Sequence, residues 1–471
     1  MRNARSAELP LGSMLSPTPT SDDGPGPAGP AAPNQLQGKP PRGRRGFGPQ
    51  RRGQRLLWAT LVAGAAILGG CSMDNDGRLD GPGWSGDSGG GNGGGGQDPV
   101  PPGQLTAAEW RDLDNWAFWL DLFEPPAESQ KDTPVAPPDD ARQPTSVHEL
   151  WLAMESDWQT CTRARYPVVV SHGGEPAVDV ALELYGAGED PLWRARTDVA
   201  GRAELFAGYV GADCAAAAAL LPEVSLFVRD ASGEVLWDGV PALGAEPLEV
   251  TIQTAQPAAA TLDLMFLVDT TGSMGDELRY LQAEIGDVIE RVRDDADEDL
   301  TVRVSVGFYR DEGDDYVVRF FDFTTNVDQA LTNLSRQSSA GGGDYPEAVH
   351  TALAEAVHEQ SWSASATARL LFLVLDAPPH ERDDVRQQLA TTVPAAAAAG
   401  IRIVPLAASG YDIVTEYVIR AWAIVTGGTF LFLTDDSGIG NPHREPTVGD
   451  YEVELLNDLL VRVIGDYVNG P

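Results

Sequence analysis

Lysine is almost missing from this 471-residue chain: after residue 70 it occurs once, at Lys131. Arginine does not make up the deficit, since 33 basic residues face 70 acidic ones and the formal net charge is −37. The first 70 residues carry nine basic and three acidic side chains, or +6, which leaves −43 for the rest. That balance argues against nucleic acid and anionic lipid surfaces as partners. Histidine is also scarce, and His172, His380 and His443 are too scattered to suggest a zinc site by spacing. No H-E-x-x-H, Walker loop or G-x-S-x-G is present, so the common hydrolase and nucleotide-binding signatures are missing. The apolar run at 56–68 is too short to span a bilayer comfortably. What remains is the expectation of a binding protein and not an enzyme.

The first 70 residues read as a leader. A basic block precedes the apolar run, and Leu68-Gly69-Gly70-Cys71 follows it. Basic region, short apolar core and small residues at the cut make a secretory signal. The final L-G-G-C resembles a bacterial lipobox, which implies lipidation of Cys71. Ser72 behind it implies an exported protein anchored by lipid in the cell envelope, at the outer membrane. A buried helix with a chance cysteine is the alternative. The polar stretch before Arg42 does not fit a signal and is expected to be a disordered extension. Residues 71–104 contain GDSGGGNGGGGQDPVPPG, a tether that cannot bury enough apolar surface to order itself.

Residues 105–145 are expected to hold a short amphipathic helix and a Pro-rich linker. Trp110, Leu113, Trp116, Ala117 and Leu120 recur at helical spacing, and core packing suits these tryptophans better than a ligand platform. From 146 to 256 the period becomes two. Strands are expected at 167–172, 177–185, 192–198, 203–209, 224–229, 234–240 and 248–253, separated by Gly, Pro and Asp turns. Seven short strands favour an antiparallel β-sandwich. The phrase Thr197-Asp198-Val199-Ala200-Gly201-Arg202-Ala203 resembles the prealbumin-like or carboxypeptidase-regulatory-like sandwiches of secreted proteins. With Cys71 set aside, Cys161 and Cys214 form an even pair in this region; they read as a disulfide or as two buried thiols.

Residues 257–471 alternate strand and helix, which builds an α/β doubly wound, Rossmann-like domain. Strands are expected at 262–268, 302–308, 317–323, 370–375, 401–407 and 429–433, a mostly parallel six-stranded sheet whose 317–323 member is an antiparallel edge. The first strand ends in Asp269, followed by Thr271 and Ser273. A carboxylate and two hydroxyls at the carboxyl end of a central strand lie where such sheets bind ligands. Their oxygens suit Mg²⁺ or Mn²⁺ and not zinc. An ordinary helix cap is the bland reading of these residues. A haloacid-dehalogenase-type phosphotransferase is ruled out because Thr271 stands where its second Asp would be.

Two more stretches extend the pattern. Gly341-Gly342-Gly343-Asp344-Tyr345-Pro346-Glu347 puts carboxylates at a helix start. Leu373-Val374-Leu375-Asp376-Ala377-Pro378-Pro379-His380 ends another buried strand in an aspartate. Together D-x-[ST]-x-S, D-x-P-E and D-A-x-x-H resemble the metal-ion-dependent adhesion site of von Willebrand factor type A domains, in the variant of integrin β I-like domains. The resemblance implies a divalent cation on Asp269, Thr271, Ser273, Glu347 and Asp376. It further implies a protein ligand that offers an acidic group, and an adjacent Ca²⁺ on Asp311, Asp344, Pro346 and Glu347. A structural envelope protein whose sandwich does the recognition is the alternative. The segment 434–443 is expected to be a loop on the same edge, either shaping ligand choice or serving as a polar turn.

Overall fold

The computed structural model describes residues 100–125, 146–209, 214, 224–255, 257–296 and 299–470. The leader, Cys71 and nearly all of the tether and Pro-rich linker lie outside these residues.

In chain order the first elements are β1 (Thr106–Trp110), α1 (Trp116–Asp121) and α2 (Val147–Trp158). Then come β2 (Arg165–His172), β3 (Glu175–Pro176), β4 (Ala181–Tyr185), β5 (Pro191–Arg196) and β6 (Arg202–Phe206). Next are β7 (Ser225–Arg229), β8 (Val235–Gly239) and β9 (Leu248–Ile252). The α/β part follows with β10 (Thr261–Asp269), α3 (Leu278–Asp295), β11 (Thr301–Tyr309), β12 (Val318–Thr324), α4 (Val327–Ser335) and α5 (Val349–His358). It closes with β13 (Ala368–Leu375), α6 (Asp383–Ala399), β14 (Ile401–Ala407), α7 (Ile413–Thr426), β15 (Phe430–Leu433), β16 (Glu454–Leu455) and α8 (Leu456–Asn469).

The large sheet is built around β10, which is buried at every position after its first residue. β10, β11, β13, β14 and β15 run parallel. β12 pairs antiparallel with β11 at one edge. The apolar sides of α3, α4 and α8 pack on one face of the sheet, and those of α5, α6 and α7 on the other. Strands covered on both faces keep no polar side, which is why these segments read as unbroken apolar runs.

The sheet has eight strands, in the order β12-β11-β10-β13-β14-β15-β1-β16, and not the six expected. The expected helix at 105–123 is really strand β1, a turn, and the short helix α1. β1 pairs antiparallel with β15, Ala107 opposite Leu433 and Trp110 opposite Phe430, and β16 pairs with its other side. Satisfying the open edge of β15 outweighs a helical preference that was supported only in the second half of the stretch. The incoming chain is pinned by Glu284 of α3, whose buried carboxylate accepts the N–H groups of Gly103 at 2.7 Å, Gln104 at 2.6 Å and Leu105 at 3.0 Å. The segment 100–123 is thus part of the α/β body and not a linker.

Two four-stranded sheets form the middle of the chain: β2 with β3, β6 and β9, and β5-β4-β7-β8. Their buried residues, among them Val168, Leu182, Trp193, Leu205, Leu226 and Val250, share one cluster. All pairings are antiparallel except β2 with β9, which is parallel and departs from the expected all-antiparallel order. Helix α2 is a further departure, lying where alternation was expected to begin. Its start carries a capping box, with Ser146 accepting the Glu149 N–H and Glu149 returning to the Ser146 N–H. Cys161 and Cys214 are joined by a disulfide.

Buried charge links this middle part to the α/β part. Arg369 of β13 donates to both oxygens of Asp179, at 2.9 and 3.1 Å. Arg196 shares that carboxylate at 2.5 Å, and Arg402 donates to the Arg196 carbonyl at 2.7 Å. Among the described residues no helix is long and apolar enough to cross a membrane.

Candidate metal centre

β10 and β13 lie side by side and parallel, with Val268 opposite Val374. Asp269 is the next residue of β10, and Asp376 comes two residues after Val374, just past the end of β13, so both lie at the carboxyl edge. Asp269 is fully buried. Its Oδ1 accepts the Thr271 N–H at 2.8 Å and the Thr271 hydroxyl at 2.7 Å. The Thr271 and Ser273 hydroxyls lie 3.1 Å apart. The short 3₁₀ turn Gly272–Asp276 follows, and it brings Ser273 out to solvent.

Glu347 arrives from the Gly-rich stretch 341–347. Its N–H bonds the Pro378 carbonyl at 3.0 Å, in a bridge between residues 347 and 379. That bridge fastens the Gly-rich loop to the segment following Asp376. Gly341 and Gly342 have φ of +80° and +70°, a region that side chains rarely adopt. A Cβ on Gly342 would sit 3.0 Å from Glu347 Oε1 and 3.4 Å from Thr271 Cβ. The glycine keeps open the space between those two residues.

The electrostatics are those of carboxylates short of counter-charge. Asp269 Oδ2, Glu347 Oε2 and Asp376 Oδ1 are buried and have no hydrogen-bond partner. Burial, then the charge of Asp376, pushes Asp269 up to about 7. Burial, then Asp269, Asp311, Asp376 and Asp314, pushes Glu347 up to about 9. Burial raises Asp376 to about 6, with the Ser273 hydroxyl pulling the other way. Tyr309, fully buried beneath them, is held well above its ordinary value by burial and by Asp269, Asp376 and Glu347. Such a group must be neutralised by protons or by a cation.

The donor set fits a hard cation. It holds only carboxylate and hydroxyl oxygens, three of them buried and unsatisfied. The carboxylates are not packed as a three-carboxylate cage. Among the described residues the one triad of His, Cys, Asp or Glu groups with ligand atoms mutually within 4.8 Å is Glu155, Cys161 and Cys214. Its sulfurs are spent on the disulfide. An ion at the strand edge would therefore take the Thr271 and Ser273 hydroxyls, one carboxylate and water.

Of the four residues expected around a second ion, Glu347 feels the charge of Asp311. Asp311 is buried, and its Oδ1 is taken by His380 Nε2 at 2.7 Å. Asp344 is exposed on the loop. Asp314 stands in instead, with Oδ2 accepting the Gly342 N–H at 2.9 Å and the Asp311 N–H at 3.1 Å. With Gly341 and Gly342 both at positive φ, the Gly342 N–H meets Asp314 and the Gly341 carbonyl accepts the Gly272 N–H. Asp314, Tyr309 and Glu277 were missed in the sequence. Asp314 and Glu277 each lie close behind a flagged aspartate, the one signal that could have found them.

The expected loop after β15 does lie at this edge. Asn441 Nδ2 donates to Asp276 Oδ2 at 2.8 Å, and His443 lies against Glu277.

Over 140 residues the chain is 26% identical to an ariadne-like RING finger protein of Acanthamoeba polyphaga mimivirus. The alignment takes in 28% of this chain and 13% of the viral protein, so the chain spans only a small part of that relative. Residues 263–399 match a family model described as von Willebrand factor A domain. The match runs through β10 to β13 and α3 to α6 and takes in Asp269, Thr271, Ser273, Asp311, Asp344, Glu347 and Asp376. A von Willebrand factor A domain is therefore present in this chain at residues 263–399.

Proposed function

We propose that the α/β domain binds a divalent cation, Mg²⁺ or Mn²⁺, and through it captures a protein ligand that offers an acidic group. The observation that carries this reading is the set of buried, partnerless oxygens on Asp269, Glu347 and Asp376 at one strand edge. Asp269, Thr271 and Ser273 would hold the ion, and Glu347 and Asp376 would orient its waters. The ion, when bound, supplies a coordination position that a partner carboxylate can fill. Ser273 is the exposed member of the set, so approach is from its side. The site is one for binding and not for catalysis. The L-G-G-C at Leu68–Cys71 supports a lipid anchor at Cys71, with the Gly-rich tether holding the domain off the outer membrane.

The test is titration calorimetry with MgCl₂ on the wild type and on Asp269→Ala. Measurable binding should be lost in the variant, with its circular dichroism unchanged. Equal Mg²⁺ affinity in the two proteins would refute the assignment. Capture of envelope proteins should likewise be abolished by EDTA and by Asp269→Ala. Labelled palmitate should enter the wild type and not Cys71→Ser.

A further inference from the structure

The segment after β15 is fastened to the strand edge through one histidine. A short turn, Asp435–Ser437, precedes it, and His443 follows with its side chain only 4% exposed. Its Nδ1 is 2.8 Å from Asp435 Oδ1, and its Nε2 is 3.2 Å from Glu277 Oε1. The Nε2 contact has ion-pair distance but not hydrogen-bond alignment, and neither atom has another partner. A neutral imidazole has one N–H and one lone pair. One of its nitrogens would then aim a lone pair at a carboxylate oxygen. Only the imidazolium presents N–H to both.

Glu277 cannot easily turn away. It is 1% exposed, its Oε2 accepts the Ser409 N–H at 3.2 Å, and a Cβ on Gly440 would run into its carboxylate. Asn441 holds the same place, through Asp276 and through its own N–H on Ser409 Oγ at 3.3 Å. Asp276 ends the turn that carries Ser273, and Glu277 is the next residue.

We propose that His443 is a proton-operated pin: as imidazolium it fastens the 434–450 loop to the turn bearing Ser273, and loss of its proton releases that loop. The charged groups facing it are Asp435 from its own segment and Glu277 at the head of α3. Asp276 lies beside Glu277 and is bridged by Asn441. Asp376, past the end of β13, feels the charge of Glu277. Arg444, the next residue, is committed to Glu416 at 3.2 Å. Burial lowers the histidine's pKa, but Glu277 and Asp435 outweigh it and the net shift is upward from 6.5. A raised histidine pKa gives stability that is complete below the ordinary 6.5 and lost as pH rises through the folded value. The pin is thus fully set below pH 6.5 and withdrawn as pH rises through the raised value.

The experiment uses the whole chain in EDTA, so that its outcome is independent of cation binding. Imidazole Cε1–H signals are followed by NMR from about pH 5.5 to 9, with His443 assigned by its loss in His443→Gln. Hydrogen exchange of the 434–450 loop is measured over the same range and corrected for intrinsic rates. The His443 midpoint should lie above 6.5. Loop protection in the wild type should fall by up to about tenfold per pH unit between 6.5 and that midpoint and level off above it, and it should be low and flat in His443→Gln. A midpoint at or below 6.5, or wild-type protection retained in His443→Gln, would overturn the proposal. Asp435→Asn changes a carboxylate that is 67% exposed and spares the fold. It should lower the midpoint, and an unmoved midpoint would also overturn the proposal.

Discussion

Replacing Glu347 by glutamine should make the cation-free protein more stable at neutral pH. Burial and four neighbouring aspartates lift the Glu347 carboxyl from 4.5 to about 9. A carboxyl with a raised pKa holds a proton in the folded state that the unfolded chain has given up. Folding therefore meets no penalty from this group below about 4.5 and a growing one as pH climbs toward 9. At pH 7 about 2.5 units have been crossed at about 1.36 kcal/mol each, a burden of about 3 kcal/mol. Asp269, at about 7, and Asp376, at about 6, have the same sign. The three share one field, so their burdens do not add and about 3 kcal/mol is an upper limit for one replacement. Glutamine keeps the shape and removes the charge. Glu347→Gln should gain up to about 3 kcal/mol in EDTA at pH 7, or a few degrees in Tm for a protein of this size, and nothing near pH 4. Saturating Mg²⁺ should close or reverse the gap, since binding stabilises the wild type by RT ln(1 + [L]/Kd). Urea and thermal unfolding at both pH values, with EDTA and with MgCl₂, give the comparison. A variant less stable than the wild type in EDTA at pH 7, or a gain that persists on acidification, would refute the reasoning.

Two other replacements probe the frame. Arg420 is fully buried and donates to both oxygens of Asp112, to Glu416 at 2.8 Å and to the Thr447 carbonyl at 2.7 Å. Arg420→Met leaves the buried Asp112 carboxylate without its cation and takes from Glu416 one of its two arginines, and should cost about 3–5 kcal/mol by urea unfolding; a loss under about 1 kcal/mol would show that the network relaxes. The Cys161–Cys214 bond closes a loop with a sequence separation of 53, worth about 4 kcal/mol from chain entropy. Cys161→Ser and Cys214→Ser should fall equally in stability and match the reduced wild type, and unequal losses would point to packing instead of the cross-link.

The sheet's parallel core and the two aspartates that end its central strands could be read in the chain alone. A strand covered on both faces must be apolar throughout, so it announces its own limits, and the first polar residue after it falls at the carboxyl edge. Local alternation likewise located seven of the eight strands of the middle part and missed the two-residue β3. Tertiary structure decided matters whose cause lies far away in sequence. Thr106–Trp110 is a strand because β15, more than 300 residues later, leaves an edge to be paired. Asp314 accepts the Gly342 N–H from 28 residues away, at a glycine with positive φ. Asp112 and Arg420, 308 residues apart, find each other only in the folded core, as do Glu277 and His443. Periodicity is a property of neighbours, so a sequence displays it. The pairing of a charge or a strand edge depends on which distant segments the fold brings together, and no local pattern records that.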